Sequence, residues 1–267
     1  MQYMKLKMPS VKSFALLAMM MGPMLTFSAF AQSFIFDDFN ATEGHFGYAP
    51  GFSSTTVGED ATSTADRITT DNPFEGIGHQ SLVLVHDATT TAFRLRHLSG
   101  GPAYNSANAG TPVGNVGFSF TTGAGTDGWI GFYLRTTAQG WQTSINLDGP
   151  GGTAAEMDGS LSLNIISDGE WHLYEWDLDA TTGWGVVPGI GGGHGGGVAN
   201  GAHTIDSIYF RDLDGTPGPT ATIYLDFVAK SESGSIAALV PEPNIATLGL
   251  LGGLGLVWAV NTRRRRS

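Results

Sequence analysis

The chain has 267 residues, no cysteine, 13 basic and 24 acidic residues, and a formal net charge of −11. Without cysteine no disulfide can brace the fold, so core packing, with or without a bound ion, must do so. The acidic balance makes nucleic acid and anionic membrane surfaces poor partners, and leaves neutral polysaccharides and divalent cations as better ones.

In chain order, Lys5, Lys7 and Lys12 precede a mostly apolar run from Phe14 to Phe27, and Ala29-Phe30-Ala31 places small residues at −3 and −1. This is the layout of a secretory signal peptide over residues 1–31, cut by a signal peptidase after Ala31. Between that cut and the terminal arginines only Arg67, Arg94, Arg96, Arg135, Arg211 and Lys230 are basic, against all 24 acidic residues, which run from Asp37 to Glu242. The exported portion therefore carries about −18. Residues 32–230 are long enough to bury a sizeable core as one domain.

Period-two alternation dominates this middle region, and no long helical stripe appears in it. Val116, Phe118 and Phe120 alternate with small or polar residues, as do Ile130, Phe132 and Leu134, and then Trp141, Thr143, Ile145 and Leu147. Further strands are predicted at 81–87, 92–98, 160–166, 170–178, 204–211 and 221–229. Turn formers separate them, such as the segment 123–128 and Asp148-Gly-Pro-Gly-Gly152. Many short strands, each with one polar face, predict an all-β fold: an antiparallel two-sheet sandwich. The nine glycines between Gly185 and Gly201 predict a long loop, and residues 231–239 a short linker.

The last segment begins at Val240-Pro241-Glu242-Pro243, continues as an apolar run from Ile245 to Val260, and ends in Arg263, Arg264, Arg265 and Arg266. Such a run predicts a single transmembrane helix whose arginines stay cytoplasmic. The three parts in this order, over residues 240–267, resemble the PEP-CTERM sorting signal. The resemblance implies an exosortase-type processing enzyme as partner. It also implies export through the inner membrane, transient or stable anchoring by the tail, and a final place at the cell surface or in the extracellular matrix.

Three short segments carry a second resemblance: Phe36-Asp37-Asp38-Phe39, Asp168-Gly169-Glu170-Trp171-His172 and Ile223-Tyr224-Leu225-Asp226-Phe227. Together they resemble the jelly-roll sandwiches of carbohydrate-binding modules and related galactose-binding-like domains. In those, the first and last strands lie together and acidic residues from each often bind a structural calcium. The resemblance nominates Asp37 or Asp38 with Asp226 for one Ca2+, completed by carbonyls and water.

Glu175-Trp176-Asp177-Leu178-Asp179 resembles the Glu-x-Asp-x-Glu strand of laminarinase-type glycoside hydrolases, with Asp179 one methylene shorter than the acid expected there. On an extended strand its carboxylates would line up over roughly 13 Å. For holding sugar rings, Trp129, Tyr133, Trp176 and Trp184 are the aromatic candidates, while Trp141 and Trp171 are expected in the core. Trp129, Tyr133 and Arg135 share the non-core face of one strand, Arg94 and Arg96 a face of another, and Gln142 and Asn146 of a third. If these strands are neighbours in one sheet, they form a polar and aromatic ligand face. None of the seven histidines has a zinc-type spacing, and no Gly-x-Ser-x-Gly elbow or phosphate loop occurs. Three functions follow as expectations. The first is non-catalytic association with exopolysaccharide or cell-wall glycan; the second is a glycoside hydrolase or lyase using Glu175, Asp177 and Asp179. The third is a structural matrix or adhesion protein without a sugar site.

Overall fold

Alternating apolar residues fold as strands because one face of each can be buried while the other meets polar groups. A computed structural model describes residues 33–42, 44–87, 89–100, 120–123, 127–149, 157–185, 197–212 and 220–240. The expected signal peptide, the strand residues Val116 and Phe118, most of the glycine-rich loop, and the sorting tail after Val240 lie outside the described residues. Among the described residues, no helix is long and apolar enough to cross a membrane.

The described chain is a two-sheet antiparallel β-sandwich. Its strands are β1 (Phe34–Asp37), β2 (Thr64–Ile68), β3 (His79–Leu84), β4 (Phe93–Leu98), β5 (Phe120–Thr122), β6 (Trp129–Thr136) and β7 (Trp141–Asp148). They continue as β8 (Asp158–Ser160), β9 (Leu163–Asn164), β10 (His172–Asp177), β11 (Trp184–Gly185), β12 (Gly201–Asp212) and β13 (Ala221–Ser231). Sheet one has the order β10-β6-β13-β3-β2, with β1 also paired to β13. Sheet two has the order β11-β8-β7-β12-β4, with β5 on β12 and β9 on β7. The first and last strands lie side by side, Phe34 opposite Lys230 and Ile35 opposite Ala229.

The core fills the space between the sheets. Leu82, Ile130, Phe132, Tyr174, Trp176, Ile223 and Leu225 come from sheet one, and Phe93, Leu95, Trp141, Ile145, Ile208 and Phe210 from sheet two. Each large apolar side chain buried this way stabilises the fold by about 1.5–3 kcal/mol. One polar link crosses the core. Gln80 donates from Nε2 to the carbonyl of Phe46 at 2.8 Å, and its Oε1 lies 2.7 Å from Nε2 of His97. Burial pushes His97 down to about 3, so the ring is neutral at pH 7 and its Nε2–H donates.

A bulge in β13 between Asp226 and Ala229 decides what reaches the outer face of sheet one. Phe227 takes a left-handed φ of 49° there, a conformation that costs a side chain about 1 kcal/mol or more. The bulge turns Phe227 outward while Val228 returns to the core. Residues 231–239, the segment expected as a linker, are partly ordered against the sheet. β13 runs to Ser231, and a 3-10 turn over Ile236–Leu239 packs Ile236 into a second apolar cluster, fully buried.

Candidate ligand-binding faces

Trp129, Tyr133 and Arg135 do alternate onto the outer face of β6, but that face is roofed. Phe74 stacks on the Tyr133 ring with centroids 3.7 Å apart, and Phe227, Ala229 and Ile236 complete a cluster partly lined by Trp129, Trp171 and Leu173. Tyr133 is buried, so it offers no open platform for a sugar ring. Trp171 belongs to this outer cluster and not to the core as expected; its indole N–H donates to the carbonyl of Asn72 at 3.0 Å. The Arg135 guanidinium lies 4.2 Å from the Tyr224 ring centroid, 5.3 Å from that of Trp171, and 3.2 Å from the Asp71 carboxylate. Arg135 thereby ties the loop before Phe74 to the sheet.

Trp141 is in the core as expected; Trp176 and Trp184, named as candidates for holding sugar rings, are in the core too. The indole N–H groups of these last two are satisfied by the carbonyls of Leu161 at 2.8 Å and Asp177 at 2.9 Å. Neither ring is a surface platform.

The conditional behind a single ligand face is not met. Trp129, Tyr133 and Arg135 stand on sheet one, whereas Arg94 and Arg96 of β4 and Gln142 and Asn146 of β7 stand on sheet two. Between β4 and β7 runs β12, whose Tyr209 and Arg211 were missed. The register puts Arg94 opposite Arg211, Arg211 opposite Gln142, and Gln142 opposite Asn164 of β9, one row across four strands. The next row holds Arg96, Tyr209 and Ser144. Arg211 donates from Nη2 to Oε1 of Gln142, and Gln142 donates from Nε2 to Oδ1 of Asn164 at 2.8 Å. Arg94 donates from Nε and Nη2 to the carbonyl of Thr55 at 3.3 and 3.2 Å. Arg96 alone has a carboxylate partner in this group: Nε donates to Asp206 at 2.9 Å and Nη2 completes a two-pronged pair. Asn146 donates to the hydroxyl of Ser207 at 2.9 Å, one row further along. Burial pushes the Tyr209 hydroxyl up to about 12, against the opposing pull of Arg94, Arg211 and Arg96, so it is neutral at pH 7.

The acidic string does not line one strand. β10 ends at Asp177, and Asp179 sits beyond it. Each carboxylate accepts a backbone N–H: Glu175 from Ile236 at 3.0 Å, Asp177 from Asp179 at 2.9 Å, and Asp179 from Asp127 at 2.8 Å and Gly128 at 3.1 Å. These bonds close turns and fasten the 3-10 segment to β10.

The calcium candidates are also engaged locally. Asp37 accepts from the amides of Phe39 and His45 at 3.0 and 2.5 Å, with Gly44 pressed so close that a Cβ there would lie 1.9 Å from its carboxylate. Asp38 accepts from Asn40 at 3.0 Å. Asp226 accepts from Phe74, Glu75 and Phe227 at 3.1, 3.2 and 2.8 Å. Burial pushes its carboxyl up to about 8, against the pull of the backbone amides of Glu75, Phe227 and Phe74. Among the described residues, no three His, Asp or Glu side chains are grouped so as to hold a metal ion.

No protein-family model matches this chain, and no curated protein matches it.

Proposed function

We propose that this is an exported protein of the cell surface or extracellular matrix, sorted by an exosortase-type enzyme, whose jelly-roll sandwich associates with polysaccharide without catalysis. The observation that carries the reading is the in-register row Arg94, Arg211, Gln142 and Asn164 across four strands of sheet two. Guanidinium and amide groups in a row match the spaced hydroxyls and ring oxygens of an extended glycan, and strands ~4.8 Å apart carry that row over about 14 Å. The address rests on the tail motif and the signal peptide, and the jelly-roll assignment draws on the adjacency of β1 and β13. The absence of turnover is favoured by Glu175, Asp177 and Asp179 each being engaged by backbone amides.

The test is a panel of immobilised glycans challenged with the full-length chain in detergent, with release of reducing ends assayed in parallel. Retention without release is expected, weakened by Gln142→Ala. Release of reducing ends that is lost in Glu175→Gln would replace this reading with a hydrolase. Absence of any retention, with concentration-dependent self-assembly, would replace it with a structural matrix role.

A further inference from the structure

We infer that the sheet-two face selects acidic glycans, with the guanidinium groups of Arg94 and Arg211 each taking the carboxylate of a uronic acid unit. This rests on the polysaccharide-binding reading and adds the class of sugar. Three of the six basic residues of the exported portion, Arg94, Arg96 and Arg211, lie on this one face. Arg96 is neutralised by Asp206. Arg94 and Arg211 hydrogen-bond only uncharged oxygens among the described residues, those of Thr55 and Gln142. The Nε of Arg211 is buried and has no acceptor among the described residues.

These two arginines stand directly opposite each other across β4 and β12. Like charges in that position destabilise a sheet. Among the described residues this pair has no carboxylate partner, which is a local conflict, and such conflicts concentrate at functional sites. An incoming carboxylate removes the conflict. It accepts two parallel N–H bonds from a guanidinium fork, which makes the contact directional as well as charged. Gln142 and Asn164, at the other end of the row, are uncharged and suit the hydroxyls of a neighbouring unit. The net charge of about −18 does not forbid this, because at physiological salt a charge is screened beyond ~8 Å and the local pair dominates at contact.

The experiment measures binding of the full-length chain in detergent to a uronate oligomer, a neutral oligomer of equal length and a sulfated dextran, at low and physiological salt. The uronate oligomer is expected to bind about tenfold or more tightly than the neutral one, with the gap narrowing as salt rises. Arg211→Gln is expected to cut the uronate-to-neutral preference about tenfold, and Arg211→Lys, which keeps the charge but loses the fork, to cut it less. Arg211→Gln loses a single bond to Gln142, and its thermal melt checks that it folds; Arg94→Gln repeats the test at the second arginine. Equal binding of uronate and neutral oligomers overturns the selectivity and leaves glycan association standing. Preference for the sulfated polymer over uronate also overturns it. A uronate preference untouched by both glutamine variants overturns the assignment to this face. Failure to bind any glycan defeats the polysaccharide reading itself.

Discussion

On sheet one the outward residues of β6 and β13 include Tyr133, Phe227 and Ala229, and chain from two distant places has folded down over them: Phe74 from the loop before β3, and Ile236 from the segment after β13. On sheet two the outward residues of β7 and β12 are Gln142, Ser144, Asn146, Ser207, Tyr209 and Arg211, with bonds from Asn146 to Ser207 and from Arg211 to Gln142 across the strands. An apolar outer face must be covered by the chain itself or by a partner, since exposed apolar patches of any size are rare on soluble domains. On sheet two, Arg94, Arg211 and Gln142 are half-buried and Asn164 is exposed, while Ser144, Asn146, Ser207 and Tyr209 beside them are buried. The difference directs attention away from the aromatic strand and towards the arginine-bearing one.

The largest effect expected from the difference is in pH dependence. Asp226 anchors the sheet-one roof by accepting from Phe74 and Glu75, and burial raises it from 3.8 to about 8. A raised folded pKa means that the native state holds the proton more tightly. Its stabilising contribution is complete below the unfolded value, near pH 4, and is lost as pH rises through about 8. Relative to Asp226→Asn, the wild type should lose about 1.4 kcal/mol per pH unit over that window, read as the difference between two denaturant titrations at several pH values. Tyr209, raised from 10.0 to about 12 on sheet two, obeys the same sign, and its contribution should persist until pH passes 10. Parallel pH profiles for wild type and Asp226→Asn between pH 5 and 8 would break the comparison.

A smaller effect is expected from Ile236→Ala. The side chain is fully buried against Tyr133, Phe227 and Ala229, so its truncation leaves a cavity as well as losing transfer energy. A loss of about 2–4 kcal/mol of stability in denaturant titration is expected, against less than about 1 kcal/mol if residues 231–239 were a loose linker. Arg135→Gln should cost less, about 1 kcal/mol, through the lost stacking on Tyr224 and Trp171 and the lost pair with Asp71.

How far the sequence could be read follows from what is local. The alternation of Ile130, Phe132 and Leu134, or of Trp141, Ile145 and Leu147, marks strands directly, because the inward face of each is decided by its own residues. β2 was not anticipated: Thr64-Ala-Asp-Arg-Ile68 is an edge strand with only two apolar residues to show its period. Sheet membership is set by pairing between residues as distant as Phe34 and Lys230, at opposite ends of the described fold, and nothing local encodes that. For the same reason Arg94 and Gln142 could be grouped only conditionally with Tyr133. Tyr209 and Arg211 were readable in principle, since they alternate with Ile208 and Phe210, but their value depends on lying between β4 and β7. The apolar Ile236, Leu239 and Val240 after a polar stretch are the signal for the roof.

The smallest effect is the sharpest check on the sheet-two face. Gln142→Ala removes an acceptor from Arg211 and a donor to Asn164, both near the surface, and water can replace each. Stability should change by no more than about 0.5 kcal/mol, as for most surface substitutions. Glycan retention should fall all the same, because an amide placed midway along the row orients the bound chain, and bulk water cannot supply that orientation. A large loss of stability would mean that the row is a structural brace like the roof on sheet one. An unchanged melt with weakened retention separates the two faces by the property that distinguishes a binding surface from a packing surface.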